Sequence, residues 1–221
     1  MVNCIGLSGS VSIVRDFYGY LKTPTPLSLT KQVRLLKGSY IDVNLIRVGI
    51  ESFTPKNEEV IDSSVQRVRD IYATVGIGVG RVQRFFITTQ DANGKDKIDS
   101  FDEAKALTEE WTVDNSAIDA FIVQDFFGSW GGLSPTPGPC NKDSKTMSGV
   151  VVMTQNDGFF MGITLGHELG HYLGLDQDFP DNHNPDPTNL MFLNISNLGG
   201  LTPGQGGVMR LHCKMRDGCG S

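Results

Sequence analysis

The stretch "HELGHYLGLDQD", residues 167–178, sets two histidines and a glutamate within five positions and adds a glycine at 174. On a helix, side chains four apart lie one turn above each other, so His167 and His171 project from one face and can share one metal ion. Glu168 lies a short way round the same cylinder. Leu165, Leu169, Tyr172 and Leu173 fall on the opposite side, which predicts a helix that buries its back and turns its imidazoles to a cleft. Gly174 stands where such a helix would stop on a positive φ.

The chemistry follows from the residue types. Zinc held by imidazoles lowers the pKa of a bound water to about 7. Glu168 is then the catalytic residue, a general base that takes the proton and later hands it to a leaving amine. The competing reading is an accidental meeting of two histidines and a glutamate. With only 4 histidines in 221 residues, such an accident seated on an amphipathic pattern is rare.

The motif "HELGHYLG" resembles that of the metzincin clan of zinc endopeptidases, which carry HExxHxxGxx followed by a third His or Asp. The resemblance takes in Met191 of "PTNLMF", which looks like the clan's Met-turn beneath the metal; alone it would read as core filler. It covers residues from about 40 to 215 in general order, with the specific motifs confined to 167–192. It implies zinc as cofactor and a protein or peptide substrate.

By that resemblance the third ligand beside His167 and His171 falls at Gln177, which is neither His nor Asp. A neutral amide oxygen is a weaker donor than imidazole or carboxylate, so Asp178, Asp176, His183 and water stay open as alternatives. Some clan members carry a tyrosine two residues after the methionine, where this chain has Leu193. Leu190 and Phe192 are expected to help wall the pocket for the substrate side chain. The stretch "GVVVMT", residues 149–154, resembles the clan's peptide-binding edge strand and makes Val151, Val152 and Met153 substrate-binding candidates. Its apolar run fits a buried central strand almost as well. The function implied is a zinc endopeptidase; the alternative is a binding protein of the same fold whose altered third ligand has cost it catalysis.

Working outward, "YIDVNLIRV" alternates Ile41, Val43 and Leu45, the pattern of a half-buried strand at the centre of a sheet. Thr54, Pro55, Glu58 and Glu59 then read as a helix start. Ile61, Val65, Val68, Tyr72 and Val75 form one apolar stripe, and Gly76 is the stop. "GRVQRFFITT" is a second strand. Asp91, Asn93, Asp96 and Asp99 faintly echo a calcium loop, but Asp96 stands where glycine is wanted, so a solvated turn is expected. A helix from Asp102 to Trp111 and a strand at "AIDAFIVQDF" complete a βαβ-like half. Thr202, Pro203 and Gln205 form a capping-box start for a C-terminal helix. The expected fold is α/β (α+β): a twisted mixed sheet with two long helices in an upper part to about residue 174, and a small irregular lower part over 175–221. Residues 1–39 read as an arm or leader before a catalytic domain over 40–221.

A net charge of -6 and a pI near 5.1, with no cluster of Lys and Arg, argue against nucleic acid as a partner. No apolar run reaches the roughly 18 residues of a membrane span, and residues 1–20 lack the form of a signal peptide. Cys4, Cys140, Cys213 and Cys219 allow two disulfides, contain no CxxC pair and point to an exported protein, which is expected to be a monomer. Cys4 as a thiolate cap on the metal competes with a structural disulfide or a free thiol. His212 reads as a packing or surface residue and not a ligand, and "NIS" at Asn194 as a glycosylation pattern that matters only in a eukaryotic secretory pathway.

Overall fold

The computed structural model describes residues 38–128, 130–142, 147–175, 183–194 and 199–218. Its centre is a twisted mixed sheet in which β1 (Ser39–Val48) lies between β2 (Ile77–Ile87) and β4 (Ile118–Val123). Next come β7 (Gly149–Met153) and the short β6 (Gly132–Leu133), giving the order β2-β1-β4-β7-β6. All neighbours are parallel except β6, which runs antiparallel to β7. A short β8 (Arg216–Asp217) pairs antiparallel with the start of β1, and β3 (Lys97–Ile98) pairs with β5 (Asp125–Phe126) in a separate two-stranded sheet.

β1 departs from the expected half-buried strand. Ile41, Val43 and Leu45 join one apolar core, while Ile46 and Val48 join a second on the other face. Parallel crossovers lay helices on both faces of a sheet, so its central strands are buried twice over. Asn44 and Asp119, fully buried within the sheet, hydrogen-bond each other at 2.6 Å. Lys142 Nζ at 2.7 Å and the Val113 amide at 3.1 Å satisfy the rest of the carboxylate. Asn44 of "YIDVNLIRV" therefore faces a built network and not water.

Helix α1 (Pro55–Ala73) starts as its sequence predicts: Thr54 caps through the Asn57 amide, Asn57 returns the bond, and Pro55 fills the first turn. Its apolar stripe faces the sheet and Gly76 closes it at φ 73°. Helix α2 (Thr89–Ala92) is a single turn, capped by Thr88, in the segment with the faint calcium echo. Helix α3 (Phe101–Glu110), capped by Ser100, covers the second core.

Helix α4 (Gly158–Tyr172), which carries the motif, packs on α1. A glycine recurs every fourth residue along it, at 158, 162, 166 and 170. A Cβ on Gly162 would lie 2.4 Å from Arg67 Cβ and 2.8 Å from the Ser64 carbonyl, so α1 approaches as closely as backbone permits. The Tyr72 hydroxyl donates to the Gly166 carbonyl at 2.9 Å across the same contact. That approach buries α4 on nearly every side, more than an amphipathic reading expects.

Helix α5 (Pro203–Arg210) begins on the expected Thr202 and Gln205 capping box. Cys213 just beyond it is disulfide-bonded to Cys140; Cys4 and Cys219 lie outside the described residues, as does the arm except for Gly38 and Ser39. His212 packs as expected, its Nε2 3.0 Å from the Gly138 carbonyl and its ring 5.6 Å from that of Tyr172. Among the described residues no helix is long and apolar enough to cross a membrane.

Candidate metal centre

Helix α4 ends in a Schellman turn: the Leu175 amide donates to the Gly170 carbonyl at 3.0 Å and the Gly174 amide to the His171 carbonyl at 2.9 Å. Gly174 takes φ 89°, as its place in the motif requires. The turn brings the Leu175 carbonyl 3.4 Å from His171 Nδ1, and the Leu190 carbonyl stands 2.8 Å from His167 Nδ1. A carbonyl can only accept, so each Nδ1 carries the proton and each Nε2 presents a lone pair.

Those two Nε2 atoms are 3.0 Å apart. Two lone pairs that close repel unless a proton or a cation lies between them. Burial pushes the His167 ring down to about 4 and the His171 ring to about 3, which disfavours the proton near neutral pH. Tetrahedral zinc with nitrogen ligands at about 2.0–2.1 Å sets two of them roughly 3.3 Å apart, close to the separation here. The donor set fits a metal.

His183 brings a third ring. Its centroid is 5.2 Å from that of His167 and 5.1 Å from that of His171, and one ligand atom from each of the three lies within 4.8 Å of the others. Gln177, Asp176 and Asp178 fall outside the described residues; His183, a more distant alternative in the sequence, supplies the third imidazole of this cluster. No periodicity links position 183 to the motif helix, so sequence reasoning had nothing to rank it by.

Met191 lies fully buried with its sulfur against Gly170, where a Cβ would stand 2.7 Å away. Its backbone is held at both ends: its amide donates to Asn189 Oδ1 at 2.9 Å, and its carbonyl accepts from the Asn184 amide at 2.8 Å, one residue beyond His183. Asn189 in turn exchanges two side-chain hydrogen bonds of 2.9 and 3.0 Å with Gln205, the capping residue of α5. The cap of the last helix thus braces the turn under the histidines, a link invisible in either local pattern.

Glu168 is 7% exposed, and burial pushes its carboxyl up to about 8. It lies directly under β6: a Cβ on Gly132 would stand 2.9 Å from Glu168 Cγ and 3.0 Å from Oε1. The three histidines and Glu168 line one cleft of about 520 Å³ together with Gly131, Gly132, Leu133, Phe101, Trp130 and Leu193.

Two expectations about the cleft wall change. β7 is not the edge of the sheet: Val151 and Val152 are fully buried, Met153 is half-buried, and the strand is flanked by β4 and by β6. Among the described residues the edge passes to Gly132 and Leu133, in a glycine- and proline-rich stretch that reads as irregular because two residues are too few to show alternation. Leu190 is 2% exposed and packs beneath Gly166 and Gly199, so its carbonyl and not its side chain serves the site, while Leu193 and Asn194 line the cleft.

The family model of reprolysin-like metallo-peptidases of family M12B matches residues 58–178, more than half of the chain. Among solved structures, metalloproteinase-II from Bacteroides fragilis is similar at 14% identity and a TM-score of 0.53, over 79% of this chain and 53% of that one. The chain therefore spans about half the length of that relative. Archaemetzincin from Methanopyrus kandleri is similar at 14% identity and a TM-score of 0.51, over 78% of this chain and 94% of that one. The fold of both is shared, in keeping with the metzincin resemblance of the motif. Zinc is the metal typical of this family, and with the helix, the histidine cluster and the extent of the match taken together, the chain belongs to the reprolysin-like metallopeptidases of family M12B.

Proposed function

We propose that this chain is a zinc-dependent endopeptidase acting on protein or peptide substrates in an extracytoplasmic compartment. The observation that carries the reading is that Glu168 and the three imidazoles of His167, His171 and His183 share one cleft beneath a sheet edge. The disulfide between Cys140 and Cys213 supports the compartment.

His167, His171 and His183 would hold the zinc. Bound zinc supplies Lewis acidity, which activates water and stabilises negative charge developing on the substrate carbonyl. Glu168 accepts the proton of the attacking water and delivers it to the leaving amine, cycling between its charged and neutral forms. Gly132 and Leu133 offer main-chain groups along the outer side of β6, where an extended peptide can add as a further strand irrespective of its sequence. An edge of that kind grips an internal stretch of chain, which favours cleavage away from the ends. A binding protein without catalysis was suggested by a weakened third ligand; an imidazole from His183 removes that motive.

The test pairs elemental analysis of the purified chain with a quenched-peptide assay, with and without a zinc chelator. Cleavage should need the metal, and Glu168→Ala should retain zinc while losing activity. Cleavage indifferent to chelator, or none from fully loaded protein, would return the reading to a binding protein.

A further inference from the structure

One wall of the cleft is aromatic, and the hydrolytic chemistry does not require it. Phe101, the first residue of α3, and Trp130, just before β6, both line the cleft and are 44% and 43% exposed. They are not loose. The Phe101 ring meets Trp130 edge-on at 5.7 Å and Phe127 edge-on at 4.7 Å. Phe127 in turn stacks on Phe126, which is 4% exposed and belongs to the second core. A chain of rings thus runs from that core to the cleft surface and holds the outer two in place before anything binds, in edge-to-face geometry that is itself favourable.

The rest of the lining says what such a wall can select. Among the described residues, those around the cleft include no lysine, arginine or aspartate, and Glu168 is buried in the chemistry. The described lining offers no ion pair to a charged side chain of a bound peptide beyond the site's own histidines and Glu168. Exposed apolar surface beside a polar site marks a place that a ligand covers, and Leu193, 49% exposed, adds to the apolar lining. The wall adjoins Gly131 and Gly132, so a peptide added along β6 would pass a side chain across the rings.

We propose that Phe101 and Trp130 form a specificity subsite that takes one large apolar or aromatic side chain of the peptide substrate, close to the bond that is cut. The proposal rests on the peptidase reading for the path of the peptide, and its test separates the two. The full chain carrying Glu168→Gln serves as a non-cleaving background. Fluorescence polarisation is measured with fluorescein-labelled hexapeptides of serine and alanine in which a single phenylalanine is walked from end to end. One position should bind about tenfold more tightly than the serine and alanine peptide without phenylalanine, in the range that a filled apolar pocket supports. Adding Trp130→Ala, and separately Phe101→Ala, should bring that preference below about threefold.

Equal binding at every position overturns the subsite, and so does a preference that survives both substitutions. The unsubstituted chain is assayed with the same peptides. Cleavage without preference removes the subsite and leaves the peptidase reading, whereas preferential binding with no cleavage removes the peptidase reading and leaves the subsite.

Discussion

Replacing Gly132 by alanine should separate chemistry from metal binding. Position 132 has no positive φ, so alanine meets no backbone penalty there and the effect is one of space. The new methyl would sit 2.7 Å from the Val151 carbonyl, 2.9 Å from Glu168 Cγ and 3.0 Å from Glu168 Oε1. The carbonyl belongs to β7 inside the sheet, so relieving that contact shifts the β6 backbone, and relieving the other two shifts the Glu168 side chain. Carbon atoms rest at about 3.5 Å or more, so the Glu168 side chain has to retreat by roughly 0.6 Å. Crowding of this kind costs about 1–3 kcal/mol of stability. A catalytic group misplaced by about 1 Å loses on the order of 10²-fold in rate. Gly132→Ala should therefore lower kcat on a quenched peptide by tens of fold to a hundredfold, with the zinc content of the parent. Elemental analysis, thermal unfolding and steady-state kinetics on one preparation decide it. A kcat within about twofold of the parent, or a loss of rate that tracks loss of zinc, would refute the placement of Glu168 beneath β6.

His183→Ala should lower zinc affinity by more than the roughly 10–100-fold that loss of an outer hydrogen bond costs. Gln177→Ala should leave it close to parental; the reverse order in competition with a chelating dye would hand the third position back to the glutamine. In the interface between α1 and α4, Gly162→Ala drives a methyl to 2.4 Å from Arg67 Cβ. It should destabilise by about 1–3 kcal/mol in urea titrations. Gly207→Ala is its counterpart on α5, where a Cβ would meet nothing within 4 Å, and should stabilise by about 0.5–1 kcal/mol. Removing the disulfide in Cys140→Ser with Cys213→Ser opens a link across 73 residues and should cost about 2–5 kcal/mol, read as a lowered denaturation midpoint.

What the sequence determined by itself was whatever depends on neighbours a turn or less apart. The i, i+4 imidazoles, the positive φ at Gly174, the Thr54 and Thr202 caps and the stripe on α1 each follow from the 3.6-residue period or from a local hydrogen bond. The glycines at 158 and 162 repeat with a helical spacing, but that they let α1 lie close is decided by the packing of the two helices.

Tertiary structure decided the rest. Whether "YIDVNLIRV" and "GVVVMT" are half-buried or fully buried depends on what covers the second face of the sheet, which no strand encodes alone. His183 lies 12 positions beyond His171, and Gln205, which braces Met191 through Asn189, lies 14 positions beyond Met191. Such contacts are chosen by the packing of the whole molecule, because the loop joining their partners has no repeating geometry from which to read where it returns.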